Sequence, residues 1–249
     1  MRTSNPAFSS QAFGPQAYDY DAPRAGTMTV QGTISKSALL LAILSATALW
    51  SWSNTSAGNA SQALIFGSMI AGMVVGLITV FRPTVAPWTA PVYAALEGVF
   101  LGAVSYLFQK ASYQGIALQA IGLTVGTLAM MLALYATRVI RVTDKLRSGI
   151  MAATGALMLV YLVTFVLRMF GMSVPFIHSG GAVGILFSLF VVGLAAFNLL
   201  LDFDVIEQGS ASGAPRSMEW YGAFGLMVTL IWLYLEVLRL LSKIYSDRR

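Results

Sequence analysis

The chain has 249 residues, 57% of them hydrophobic and 10% charged, with a mean hydropathy of +0.74. A soluble domain carries about 25% charged residues, so this composition excludes an ordinary water-facing surface. The net charge of +5 does not point to nucleic acid, because the basic residues stand at the ends of apolar runs, and the absence of cysteine removes disulfides and thiolate metal sites.

Residues 1–35 are rich in Ser, Ala, Gly, Pro and Gln, with the isolated aromatics Phe8, Phe13, Tyr18 and Tyr20. No continuous apolar stretch of the signal-peptide kind occurs there, and the expectation is a disordered tail. A membrane domain follows over 36–245, and residues 246–249 form a basic end. Seven apolar runs fill the domain: about Ser37 to Trp52, Ala60–Phe81, Ala90–Phe108, Gly115–Ala136, Gly149–Phe170, Gly181 to Leu201, and Trp220–Leu241. Each is close to the ~20 residues that cross a hydrocarbon core, and none alternates as a barrel strand would. The expected fold is an all-α bundle of about seven transmembrane helices. Six helices with a re-entrant last segment is the alternative, since the seventh run is the most polar.

With the N-terminus inside, nine of the 15 Lys and Arg fall on the cytoplasmic side, led by Arg138, Arg141, Lys145 and Arg147. That bias favours a cytoplasmic N-terminus, although the basic C-terminal residues pull the other way. Gly-x-x-x-Gly occurs at Gly72/Gly76, Gly98/Gly102 and Gly122/Gly126, where helices can approach closely within one bundle or along a dimer seam.

Only ten acidic residues exist. Asp19, Asp21, Asp144, Glu219 and Asp247 are expected to be solvated. Glu97, Asp202, Asp204, Glu207 and Glu236 fall in or near membrane segments, where an ionised group costs ~2.5–3.5 kcal/mol on insertion scales and calls for a partner or a function. Asp202 and Asp204 are about 200° apart around a helix, so one faces the bundle and the other the interface, unless all three acids simply begin a polar loop. Glu236 either pairs with Arg239 at i+3 or meets Asp202 across neighbouring helices. In the second case two close carboxyls share a proton and, when both are ionised, attract a hard cation such as Ca2+. Glu97 is read either as a buried structural glutamate or as the lining of a cation path. Arg82 is read either as an interface anchor or as a partner for an interior carboxylate. No HExxH, Gly-x-Ser-x-Gly or P-loop occurs, the lone His178 sits in a loop, and an enzyme is not expected.

The stretches PVYAALEGVFLGAVS, NLLLDFDVIEQG and LYLEVLRLL, in this order and setting, resemble the transmembrane Bax inhibitor motif family in its bacterial branch, over roughly 35–245. The resemblance implies a seven-helix bundle with the last helix central, and a pH-sensitive Ca2+ leak in the bacterial plasma membrane. It implies an acidic pair between the sixth and seventh helices, matched here by Asp202 and by Glu236, which stands where the family has aspartate. It also implies that Arg82, ending the second helix, engages Asp202; Asp204 occupies a position that is typically uncharged. The functional expectation is a Ca2+ leak gated by Asp202 and Glu236, with no cofactor. The alternative is a membrane-embedded protein that modulates another membrane protein, such as a quality-control protease.

Overall fold

The computed structural model describes residues 26–59, 61–170 and 181–247. Seven helices follow one another: α1 (Val30–Ser56), α2 (Gln62–Phe81), α3 (Ala86–Ala111), α4 (Ile116–Ala136), α5 (Asp144–Met169), α6 (Ala182–Ala211) and α7 (Met218–Asp247). All seven are long and apolar enough to cross a membrane. At 1.5 Å per residue the unbroken α7 spans about 45 Å, long enough for a full crossing and without the break a re-entrant segment needs. Large apolar side chains such as Phe81 (80% exposed) and Leu118 (74% exposed) point outward, as a lipid-facing surface requires.

Local chemistry sets the helix ends. α1 starts at Val30, inside the segment expected to be a disordered tail, because Thr29 caps it by accepting from the Gly32 N–H at 2.9 Å. Residues 1–25, and His178, lie outside the described residues. α2 stops at Arg82, whose backbone is pushed out of the helical region by Pro83; a 3-10 turn, Pro83–Val85, then leads into α3. α6 does not end near Leu201. It continues ten residues through Asp202, Asp204 and Glu207, and ends before Gly213, whose φ of +69° reverses the chain into α7.

The last helix is the centre of the bundle, packing against α1, α3, α4 and α6. Its Leu230, Leu233, Val237 and Leu238 meet Ile116, Ala120, Ala195 and Leu199, while Ala223, Phe224, Met227 and Ile231 meet Leu40, Ala90, Tyr93 and Leu101. The tightest seam joins α1 to α3. A Cβ on Gly98 would lie 2.4 Å from the Leu44 carbonyl oxygen, and one on Gly102 would lie 2.1 Å from that of Ala48. Only glycine permits this approach, so this Gly-x-x-x-Gly serves packing within the bundle. Gly72 and Gly76 do the same for α2 against Glu97 and Tyr93 of α3, whereas Gly122 and Gly126 have open space before them.

Candidate functional site

One end of the bundle gathers the starts of α1, α5 and α7 with the ends of α4 and α6, beside the Arg138–Arg147 stretch. Here three of the acids find partners. Glu219, expected to be solvated, is 2% exposed in the first turn of α7. It forms an ion pair with Lys36 and accepts from the Thr29 N–H and Oγ1, each at 2.9 Å. The correction has a simple cause: a carboxylate suits a helix N-terminus, and Lys36 on α1 stands beside it. Asp204 is paired with Arg147 of α5 and accepts from Gln208 at 2.7 Å, and Glu207 accepts from the Tyr135 hydroxyl of α4. The three acids ending the sixth apolar run therefore do not open a loop; Asp204 and Glu207 tie α6 to α5 and α4.

The other half of the bundle holds Glu236, 2% exposed. It accepts from Arg239 at 2.7 Å and from the Tyr161 hydroxyl at 3.0 Å, binding α7 to α5. Two turns later, the buried Lys243 donates to the Gly184 carbonyl at 3.0 Å and to Ser188 Oγ at 2.8 Å. Of the two readings of Glu236, the i, i+3 ion pair is the one the structure contains.

Asp202 does not meet Glu236. Its neighbour on α7 is Thr229, within hydrogen-bonding reach of the carboxyl. Glu236 lies seven residues past Thr229, on nearly the same face but about 10 Å further along. The separation is one of register in the α6–α7 hairpin. Asp202 stands nine residues before the end of α6 and Thr229 eleven after the start of α7, so antiparallel pairing brings these two opposite each other.

Asp202 and Glu97 instead line one open cleft of about 540 Å³ bordered by α2, α3, α6 and α7, whose outer rim is formed by the exposed Met73, Leu77, Val80 and Val205. Its wall includes Gly76 and Leu77 of α2, Tyr93 and Glu97 of α3, Asp202 and Ile206 of α6, and Tyr221 and Gly225 of α7. The Tyr93 hydroxyl, one turn before Glu97, hydrogen-bonds its carboxyl. Asp202 Oδ2 is buried and has no hydrogen-bond partner. Two other buried atoms share that condition among the described residues, Ser37 Oγ and Trp232 Nε1, but neither carries charge. Among the described residues, no lysine, arginine or histidine lines the cleft. An unpaired ionised carboxyl in such a place costs several kcal/mol, so both groups need a proton or a cation. Arg82 caps α2, exposed, and is not part of the lining. Ser105, two turns after Glu97, bonds to the Tyr234 hydroxyl at 2.6 Å.

Seven helices long and apolar enough to cross a membrane, the last of them central, with carboxyl groups lining a cleft beside it, define a polytopic membrane protein. A family model described as Bax inhibitor 1 like matches residues 5–246, and the chain belongs to that family. The match reaches back to residue 5, so most of the N-terminal segment is included in it. No curated protein matches the chain.

Proposed function

We propose that this protein is a cation leak of the bacterial plasma membrane, with Ca2+ as its ion and protons as competitors for the same carboxyl groups. The observation that carries this reading is the Asp202 carboxyl: the residue lines a cleft between helices, and one of its oxygens is buried without a hydrogen-bond partner. An ionisable group kept within the membrane without a charged partner marks an ion or proton pathway. The titratable groups facing it are Glu97 and Tyr93 from α3 and Tyr221 from α7, with none from the lining part of α2. The reading places pH sensing at Asp202 rather than at an Asp202–Glu236 pair, because Glu236 is already held by Arg239 and Tyr161. It assigns no catalytic step and sets the N-terminus in the cytoplasm.

The test is reconstitution of the purified chain in liposomes of pure lipid enclosing a Ca2+ dye, over a pH series. The expected result is Ca2+ entry above that of protein-free liposomes, varying with pH. Absence of entry at every pH would overturn the leak and favour a protein that acts only on a membrane partner.

A further inference from the structure

The short segment before α1 is built into the bundle. Thr27 bridges to Pro215 as in an antiparallel pair, the Met28 N–H donates to the Ala214 carbonyl at 2.7 Å, and the Arg216 N–H donates to that of Gly26 at 2.9 Å. Ser210 Oγ donates to the Met28 carbonyl at 3.3 Å, and Thr29 is held by Glu219. These bonds fix the segment to the end of α6 and the start of α7, and they set the Met28 side chain inward, where it is 4% exposed. Resting on the leak reading, we propose that residues 26–29 form a strap that closes the Asp202 cleft at the end nearest the α6–α7 turn, with Met28 as its stopper.

Two glycines make room for the stopper. A Cβ on Gly209 of α6 would lie 3.0 Å from Met28 Sδ, and one on Gly222 of α7 would lie 3.5 Å from Met28 Cε and 3.2 Å from Ile206 Cγ1. At these two positions the helices supply no side chain of their own, and the unbranched thioether, which adapts to an irregular gap, fills the space. Gly222 and Ile206 also line the cleft that Asp202 borders, so Met28 packs against the cleft's own wall. Truncating Met28 leaves a void beside that wall, because the surrounding structure closes such a void only in part. The strap is also easily lifted. One bridge and a few hydrogen bonds hold it, whereas each helix is bonded along its whole length, and segments with so few bonds open locally at far lower cost than the fold as a whole.

The chain has no cysteine, so a reversible lock can be engineered. Opposed residues of an antiparallel pair have Cα atoms about 4.5–5.5 Å apart, within reach of a disulfide, and the double variant Thr27→Cys/Pro215→Cys should cross-link under copper phenanthroline. In liposomes enclosing a Ca2+ dye, the oxidised double variant should pass Ca2+ about tenfold more slowly than its dithiothreitol-reduced form, since the lock removes the open population. Met28→Ala should raise the flux a few-fold, and Met28→Leu should stay near wild type. A second readout needs no flux. Ile206→Cys, at a position 7% exposed, should react with a maleimide about tenfold faster once Met28→Ala is added, because labelling follows local opening. Thermal melting shows which variants are folded; should Met28→Ala fail to fold, the lock carries the test. Equal flux in the locked and reduced forms, or a maleimide rate unmoved by Met28→Ala, would overturn the strap while Ca2+ entry in the wild type keeps the leak. Faster labelling with no Ca2+ entry in any variant would support the strap and remove the leak.

Discussion

Lys36, two turns into the first helix, and Glu219, in the first turn of the last, form an ion pair that joins parts of the chain 183 residues apart. Around it the short segment before α1 is bound to the α6–α7 turn. The Met28 N–H donates to the Ala214 carbonyl at 2.7 Å, and the Arg216 N–H donates to that of Gly26 at 2.9 Å. Glu219→Gln turns an acceptor of three donors into a group that itself donates, leaving Lys36 half-buried without its counter-charge. The loss should be about 2–3 kcal/mol, below the usual range for a fully buried pair because Lys36 keeps some solvent. A melting curve in detergent measures it, and an unchanged midpoint would show that the pair contributes nothing.

The glycines of α3 and α4 should differ sharply. Gly98→Ala and Gly102→Ala place a methyl against backbone carbonyls of α1, which cannot yield without the helices parting, and each should cost about 3 kcal/mol or more. Gly126→Ala meets nothing within 4 Å and should be neutral or raise stability by up to about 1 kcal/mol through helix propensity. Equal effects at Gly98 and Gly126 in thermal melts would contradict the packing.

Three carboxyl variants separate pH sensing from bundle ties. Asp202→Asn should flatten the dependence of Ca2+ flux on pH. Asp204→Asn should leave the profile in place and lower stability by no more than about 1 kcal/mol, the value of a partly exposed pair. Glu236→Gln should lower the melting temperature, because it weakens the bonds to Arg239 and Tyr161, and leave the pH profile alone. A flattened profile in Glu236→Gln equal to that in Asp202→Asn would restore the acidic pair across α6 and α7.

Orientation can be read from single cysteines at Ser148 and Ser56, both exposed at opposite ends of membrane-crossing helices. Ser148 beside the basic stretch should be reachable only from the cytoplasm and Ser56 only from outside. Labelling of Ser148 by an impermeant reagent on intact cells would reverse the topology.

Helix number was legible in the sequence because hydropathy acts residue by residue, and the cost of intramembrane charge singled out Asp202 and Glu97 as candidates. The partner of Asp202 was not read, since two acids on adjacent helices say nothing of axial register. The hairpin itself held that information: with a turn over residues 212–217, antiparallel pairing sets Asp202 opposite a position near 227, within a turn of Thr229 and well short of Glu236. Glu219 was misjudged for a different reason. Its burial depends on Lys36 and Thr29, far away in sequence, and a local reading sees only a polar residue after a glycine-rich turn. Helix ends were extended beyond the apolar runs wherever a cap or a salt bridge, rather than hydropathy, set the limit, as at Thr29 and Asp204.

The central place of α7 has a consequence for biogenesis. Synthesis delivers this helix last, yet α1, α3, α4 and α6 all rest their inward faces on it. Until it emerges from the ribosome, Lys36 has no counter-ion at Glu219, and Leu40, Ile116 and Leu199 have no α7 surface to close upon. A chain halted before Met218 would therefore be inserted but unassembled, with a charged residue and a groove of small and apolar side chains open along its whole length. Completion of the last helix is what would hide that groove from the membrane's degradation machinery.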